Sequence, residues 1–194
     1  MTATASAPET RIPGWFHHGA KILELVEQHR QTVCVELGTF QGASAIPVAR
    51  SIARWRGVLT CVDTWAEDVY QAGATSPWLL VSCARNVVAA GVQNVRLMPT
   101  TTAEAVRTWA EPIDYLYIDA DHHEAAVLAD LEAWVPHVRP GGLVLGDDYG
   151  NRSFPGVHRA WDAFEAASGL SFMRYQSTPP HPDGVQLIYG TKEI

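Results

Sequence analysis

The chain contains no uninterrupted apolar run of 18 residues, the minimum for a membrane-spanning helix. Charge is also sparse. Asp, Glu, Lys and Arg make up 18% of the 194 residues, and the positive sign is the scarcer, with 14 Lys and Arg against 21 Asp and Glu for a net −7. The basic footprint that nucleic-acid-binding surfaces carry is missing. Neither a nucleic acid nor a membrane is therefore expected as a partner. Cysteine is limited to Cys34, Cys61 and Cys83, an odd number with no C-x-x-C pair. Such a set reads as small buried hydrophobes in a reducing cytoplasm. Residues 1–13 lack the basic and apolar regions of a secretory signal, and their Thr, Ala, Ser and Pro content reads as a mobile N-terminal tail. The remainder, 14–194, has the length of a single domain, for which roughly 100–200 residues is usual.

What is present is a regular alternation of apolar runs and helical stripes, in a chain that is 47% hydrophobic. Residues 20–29 carry a stripe through Ile22, Leu25 and Val26, and 33–37 form an apolar strand. Ser44 reads as an N-cap, with Pro47 in the first turn of a helix running to about 56. A strand over 58–63 leads into a loop rich in Trp, Pro and Gly that includes Trp65, Gly73 and Pro77. Helical spacing over 78–90 passes through Leu79, Cys83 and Val87 and stops at Gly91. Then follow a strand at 95–98, a helix at 103–109, a strand at 113–119, a helix at 125–137, a strand at 143–146 and a helix at 157–167. Two last strands, 170–175 and 185–189, are joined by a Pro-rich loop without a helix. This order predicts an α/β, doubly wound, Rossmann-like fold: a mostly parallel sheet with an antiparallel C-terminal edge hairpin.

In such sheets ligands bind at the carboxyl ends of the strands. Here those ends read Glu36 to Gly38, Asp63, Met98 into Thr100-Thr101-Thr102, Asp119, and Asp147-Asp148. Gly38 and Gly42 bracket a tight turn that lets a ligand approach the backbone, but the third glycine of the dinucleotide fingerprint is missing. Asp63, about 25 residues after that turn, is placed to accept both ribose hydroxyls of an adenosine, and Trp65 to cover its adenine or ribose. Asp119, Asp147 and Asp148 end adjacent strands roughly 4.8 Å apart. Carboxylates so close need a shared proton or a cation, and an all-oxygen set favours Mg²⁺, Ca²⁺ or Mn²⁺. Besides a group-transfer enzyme, two readings stay open: a nucleotide (NAD)-dependent oxidoreductase on the same architecture and a non-catalytic adenosine-ligand binding module.

The acidic residue just before the first glycine, in Glu36-Leu37-Gly38, resembles motif I of the S-adenosylmethionine (SAM)-dependent methyltransferases. More specific are Asp119-x-Asp121-His122, Ala126-Val127-x-x-Asp130-Leu131, Arg139-Pro140-Gly141-Gly142, Gly146-Asp147-Asp148-Tyr149 and Phe154-Pro155-Gly156-Val157-x-x-Ala160-x-x-x-Phe164. Together, over roughly residues 20–190, they resemble a class I branch: the metal-dependent small-molecule O-methyltransferases of antibiotic and sugar tailoring. The resemblance implies a Rossmann-like methyltransferase fold with SAM as cosubstrate. It implies a sugar, phenolic or natural-product hydroxyl as acceptor, assisted by a divalent cation, Mg²⁺ first among candidates. By position it implies Asp119, Asp147 and Asp148 as metal ligands, and Asp121 as general base with His122 second. Around SAM it implies Glu36, Gly38, Thr39, Phe40, Gly42, Ser44, Asp63, Thr64, Trp65, Thr101, Thr102 and Asp119. This chain departs from the pattern at two points. The run Thr100-Thr101-Thr102 stands where an acidic adenine contact is frequent, and Glu124 stands where a tyrosine often follows the Asp-x-Asp-His motif. A homo-oligomer is left open.

Overall fold

The computed structural model describes residues 12–66 and 78–192; most of the expected tail, and Gly73 and Pro77 of the expected loop, lie outside them. The sheet is built from β1 (Val33–Leu37), β2 (Val58–Asp63), β3 (Val95–Pro99), β4 (Ile113–Ile118), β5 (Val138–Tyr149), β6 (Met173–Tyr175) and β7 (Gln186–Thr191). Its order is β3-β2-β1-β4-β5-β7-β6. Every pair up to β5 is parallel, and β7 runs antiparallel to both β5 and β6. The chain order reverses between β1 and β4, which is where the strand ends splay to leave a crevice.

Helices cover both faces: α1 (Gly19–Gln28), α2 (Ala45–Ile52) and α3 (Trp78–Ala89) on one, α4 (Thr102–Thr108), α5 (Glu124–Trp134) and α6 (Pro155–Ser168) on the other. Alternation along the strands sorts the core. Cys34, Cys61, Tyr115 and Tyr117 pack under α1–α3, whereas Val35, Leu37, Val62, Leu116 and Ile118 pack with Trp134 and Trp161 under α4–α6. The three cysteines are free and buried. Gly146 is where β5 meets the indole of Trp161; a Cβ there would lie 2.4 Å from the ring.

Three differences from the sequence pattern have a clear local cause. β5 starts at Val138, because Pro140-Gly141-Gly142 is an irregularity within the strand, with Gly141 at φ +76° and a register shift opposite Ile113–Tyr115. α5 gives way after Trp134 to a tight 3₁₀ turn, Val135–His137, containing Pro136, which has no N–H for a continued helix. Ser44 takes the expected N-cap position of α2, but its backbone is already helical (φ −84°, ψ −44°) and its side chain makes no cap hydrogen bond. Its hydroxyl is committed elsewhere.

At the amino end of the sheet Asp114 anchors the centre. One oxygen accepts from Thr32 N (2.7 Å), Thr32 Oγ1 (2.8 Å) and Val33 N (2.9 Å), and the other is paired with Arg139. No helix among the described residues is long and apolar enough to cross a membrane.

Candidate active site

A cavity of about 640 Å³ opens at the carboxyl ends of the central strands, over the β1–β4 switch. Its first wall is the turn after β1. Gly38 N donates to Val62 O (2.9 Å) and Asp119 N to Leu37 O (2.8 Å), so the turn is stitched to both neighbouring strands. A Cβ on Gly38 would sit 2.0 Å from the carbonyl oxygen of Asp119, so only glycine fits. Phe40 (φ +49°), Trp65 (φ +48°) and Asp148 (φ +58°) line the cavity in the left-handed region. Each such residue costs on the order of 1–3 kcal/mol and persists only when its surroundings hold it.

Asp63 does much of the holding. Its Oδ2 accepts from Thr39 N and Phe40 N, both at 2.9 Å, and its Oδ1 from Trp65 N at 2.7 Å. The indole of Trp65, itself buried, donates to Phe40 O at 2.7 Å. A carboxylate has about four acceptor positions, and the turn occupies three of these. Asp63 thus holds the turn in addition to facing the cavity, where the sequence places it toward a ribose.

Glu36 and Gly42 do not line the cavity. The alternation of β1 turns the Glu36 side chain into the α2 face, fully buried, where Ser44 Oγ donates to its Oε1 at 2.5 Å and Oε2 has no partner. Burial pushes its carboxyl up to about 8, which favours the protonated form near neutral pH. Glu36, Gly42 and the Ser44 hydroxyl therefore shape the turn from beneath, although Ser44 also reaches the wall. Thr64, Thr101 and Thr102 line the cavity as well. Thr101 caps α4 in a reciprocal pair with Glu104, and Thr100 donates to the same glutamate at 2.8 Å.

The floor differs from the expected carboxylate triplet. Ligating atoms of Asp119, His122 and Asp148 all lie within 4.8 Å of one another. His122 Nε2 is 2.9 Å from Asp148 Oδ2 and 4.0 Å from Asp119 Oδ1, and its ring stacks on Phe154 at 4.1 Å. Asp147 also borders the cavity, but its oxygens face Tyr117 OH and Asp148 N, both at 3.0 Å. The left-handed backbone of Asp148 and the register shift between Gly146 and Tyr149 break the strand alternation here, so both aspartates border the cavity while only Asp148 is turned toward His122. Burial, then the charges of Asp147 and Asp148, raise the Asp119 carboxyl well above the usual range. Burial and Asp148 raise Asp147. Asp148 is opposed by burial too, but hydrogen bonds from His122 and Asn151 outweigh it and hold this carboxyl low.

Asp121 stands at the mouth, its side chain 51% exposed, with Oδ1 accepting from His123 N at 2.7 Å. Partial burial opposes its ionisation, yet the contacts to His123 prevail and its carboxyl stays below the ordinary value. His123 is outside the site at 88% exposure, and Glu124 is paired with Arg159 of α6 at 2.5 Å.

Sequence reasoning named neither Trp15 nor His17, which precede α1, nor His181, Asp183 and Val185, which precede β7; all five line the cavity. The rings of His17 and His181 meet at 4.4 Å. These segments carry no periodicity or motif, and the sole hint was that loops around strand ends hold substrates.

Comparison with known proteins extends the description. Residues 35–149 match the model of a family described as a methyltransferase domain. An uncharacterized protein of Sinorhizobium fredii, y4gI, is 30% identical over 187 residues, covering 93% of this chain but 19% of that much longer protein. An O-methyltransferase from Bacillus cereus in complex with SAH shares the fold at 17% identity and TM-score 0.69, over 93% of this chain and 83% of that one. So does the O-methyltransferase TomG from Streptomyces achromogenes, involved in tomaymycin synthesis and in complex with SAM, at 19% identity and TM-score 0.68, over 93% and 82%.

Proposed function

The chain belongs to the methyltransferase-domain family, and from that premise we propose that it is a SAM-dependent O-methyltransferase acting on a hydroxyl of a small molecule. The observation that carries the proposal is one cavity holding both halves of the reaction. The strained, Asp63-clamped turn provides a seat for the donor, and Asp119, His122 and Asp148 form a floor beside it. The SAM-bound and SAH-bound structures of the same fold support this reading.

SAM would lie along Gly38–Phe40, with Asp63 and Thr64 toward its ribose, Trp65 beneath the turn, and Thr101 and Thr102 toward its base. The methyl group passes in line from sulfur to the acceptor oxygen: the C–S bond breaks as the C–O bond forms, and the hydroxyl proton leaves to a side chain. Most of the acceleration comes from holding the two reactants at attack distance. Asp121, ionised and at the mouth, takes the proton.

The floor fits a divalent cation, since its donors are two carboxylates and an imidazole and since burial and the neighbouring carboxylates otherwise force Asp119 toward protonation. Asp119, His122 and Asp148 would hold it, with Asp147 positioned behind by Tyr117. When bound, the cation lowers the pKa of an acceptor hydroxyl. With an imidazole in the set, Mn²⁺ or a similar borderline ion becomes a better candidate than Mg²⁺. A homo-oligomer and a location in the cytoplasm remain part of the proposal.

Calorimetry with SAM, S-adenosylhomocysteine (SAH) and NAD, joined to an assay of SAH release over a panel of hydroxyl compounds, tests this. SAM binding and acceptor-dependent SAH release are expected. Binding of NAD in place of SAM would sink the proposal in favour of an oxidoreductase.

A further inference from the structure

The charges around the cavity are one-sided. Asp63, Asp119, Asp121, Asp147, Asp148 and Asp183 line it from the donor turn to the outer mouth, and no Lys or Arg is among the described lining residues. Arg152 lies between the lining residues Asn151 and Ser153 but is not part of the wall. The basic groups present are His17, His122 and His181. Two of these already face carboxylates: His122 stands 2.9 Å from Asp148, and His181 stands 3.8 Å from Asp183. The apolar walls add Trp15, Phe40 and Phe154, whose ring faces attract cations. The whole chain carries −7, so its overall charge has the same sign as the cavity's.

We propose that this cavity selects its acceptors by charge, admitting only those without an anionic group. The proposal rests on the methyltransferase reading and names the acceptor class within it: neutral or amine-bearing hydroxyl compounds. Carboxylated, phosphorylated and other acidic acceptors are excluded. A divalent cation at the floor and the single net positive charge of SAM offset half of six formal negative charges, so an incoming anion still meets repulsion. Amine-bearing acceptors meet the exposed carboxylates Asp121 and Asp183 first, at the mouth.

Calorimetry of SAM and SAH on the whole protein separates this proposal from the reading it rests on: failure of both to bind overturns the methyltransferase reading itself. The charge proposal is read with matched acceptors that differ in one group, such as tyramine, tyrosol and 4-hydroxyphenylacetate, or glucosamine, glucose and glucuronate, followed by SAH release at low and at high salt, the difference narrowing as salt screens the field. In any set that is methylated, turnover per acceptor concentration should fall at least about tenfold from amine or alcohol to acid. An acid methylated as efficiently as its neutral counterpart refutes the proposal. Asp183→Asn should narrow the preference for the amine over the alcohol, and an unchanged ratio would remove Asp183 from the argument.

Discussion

Asp63→Asn separates a role in shaping the donor turn from a role in touching the donor alone. The carboxylate accepts three backbone N–H groups, from Thr39, Phe40 and Trp65. A hydrogen bond to a charged group contributes about 1.5–3 kcal/mol and a neutral one about 0.5–1.5. Asparagine can keep its oxygen on Thr39 and Phe40, losing about 1 kcal/mol at each. Its amide then confronts the Trp65 N–H with a second donor, and that unsatisfied group costs about 1–3 kcal/mol. The turn should therefore be destabilised by about 3–5 kcal/mol, with the lower end favoured because Asp63 is only half-buried. Gly38 and Asp119 stay stitched to the sheet, so the turn should open without the domain unfolding. Amide hydrogen exchange on the ligand-free protein reads this directly, with faster exchange expected at Thr39, Phe40 and Trp65 and little change in β1 and β4. SAM affinity should fall by about 10²-fold or more, since each 1.4 kcal/mol is a factor of ten. Wild-type exchange at Phe40 combined with weakened SAM binding would mean that Asp63 acts on the ligand only, and the structural argument would be refuted.

Four further perturbations address other parts of the molecule. EDTA should abolish turnover while SAM binding largely survives, and Mn²⁺ should restore activity at lower concentration than Mg²⁺; full turnover in chelator would remove the cation from the mechanism. Asp121→Asn should lower kcat by about 10²-fold, the scale for losing a general base, and leave cation affinity unchanged, whereas His122→Asn should weaken the cation; the reverse pattern in metal titrations would exchange their roles. Glu36, with its carboxyl raised to about 8 in the fold against about 4.3 unfolded, binds its proton more tightly in the native state, so it stabilises least at high pH. Wild-type stability in urea should therefore decline relative to Glu36→Gln as pH rises from 5 to 8, and parallel curves would show that Glu36 is not neutral. Asp114→Ala should cost about 2–3 kcal/mol in chemical denaturation, because it removes the shared acceptor of three donors at a nearly buried carboxylate while the 42% exposed Arg139 is returned to solvent; a loss below about 1 kcal/mol would mean that solvent replaces the network.

The alternation of strands and helices was legible because each strand of a doubly wound sheet is an apolar run short enough to stand apart from the helical stripes. For the same reason the residues at the carboxyl ends could be named in advance, and Gly38, Thr39, Phe40, Asp63, Asp119, Asp121 and His122 do converge on one cavity. The amino-acid pattern alone also set the acidic character of those ends. What it does not contain is the direction of each side chain. Glu36 turns under α2, Asp147 turns to Tyr117, and His122 takes the third place on the floor, because these follow from strand alternation, the β4–β5 register and the left-handed backbone of Asp148. Nor does it contain the outer wall. His17 and His181 are separated by most of the chain and meet at 4.4 Å only because β7 inserts between β5 and β6, bringing the loop before it over the site beside the segment that enters α1. Local pattern determines which residues lie at the strand ends; long-range pairing of the strands decides which of them face one another.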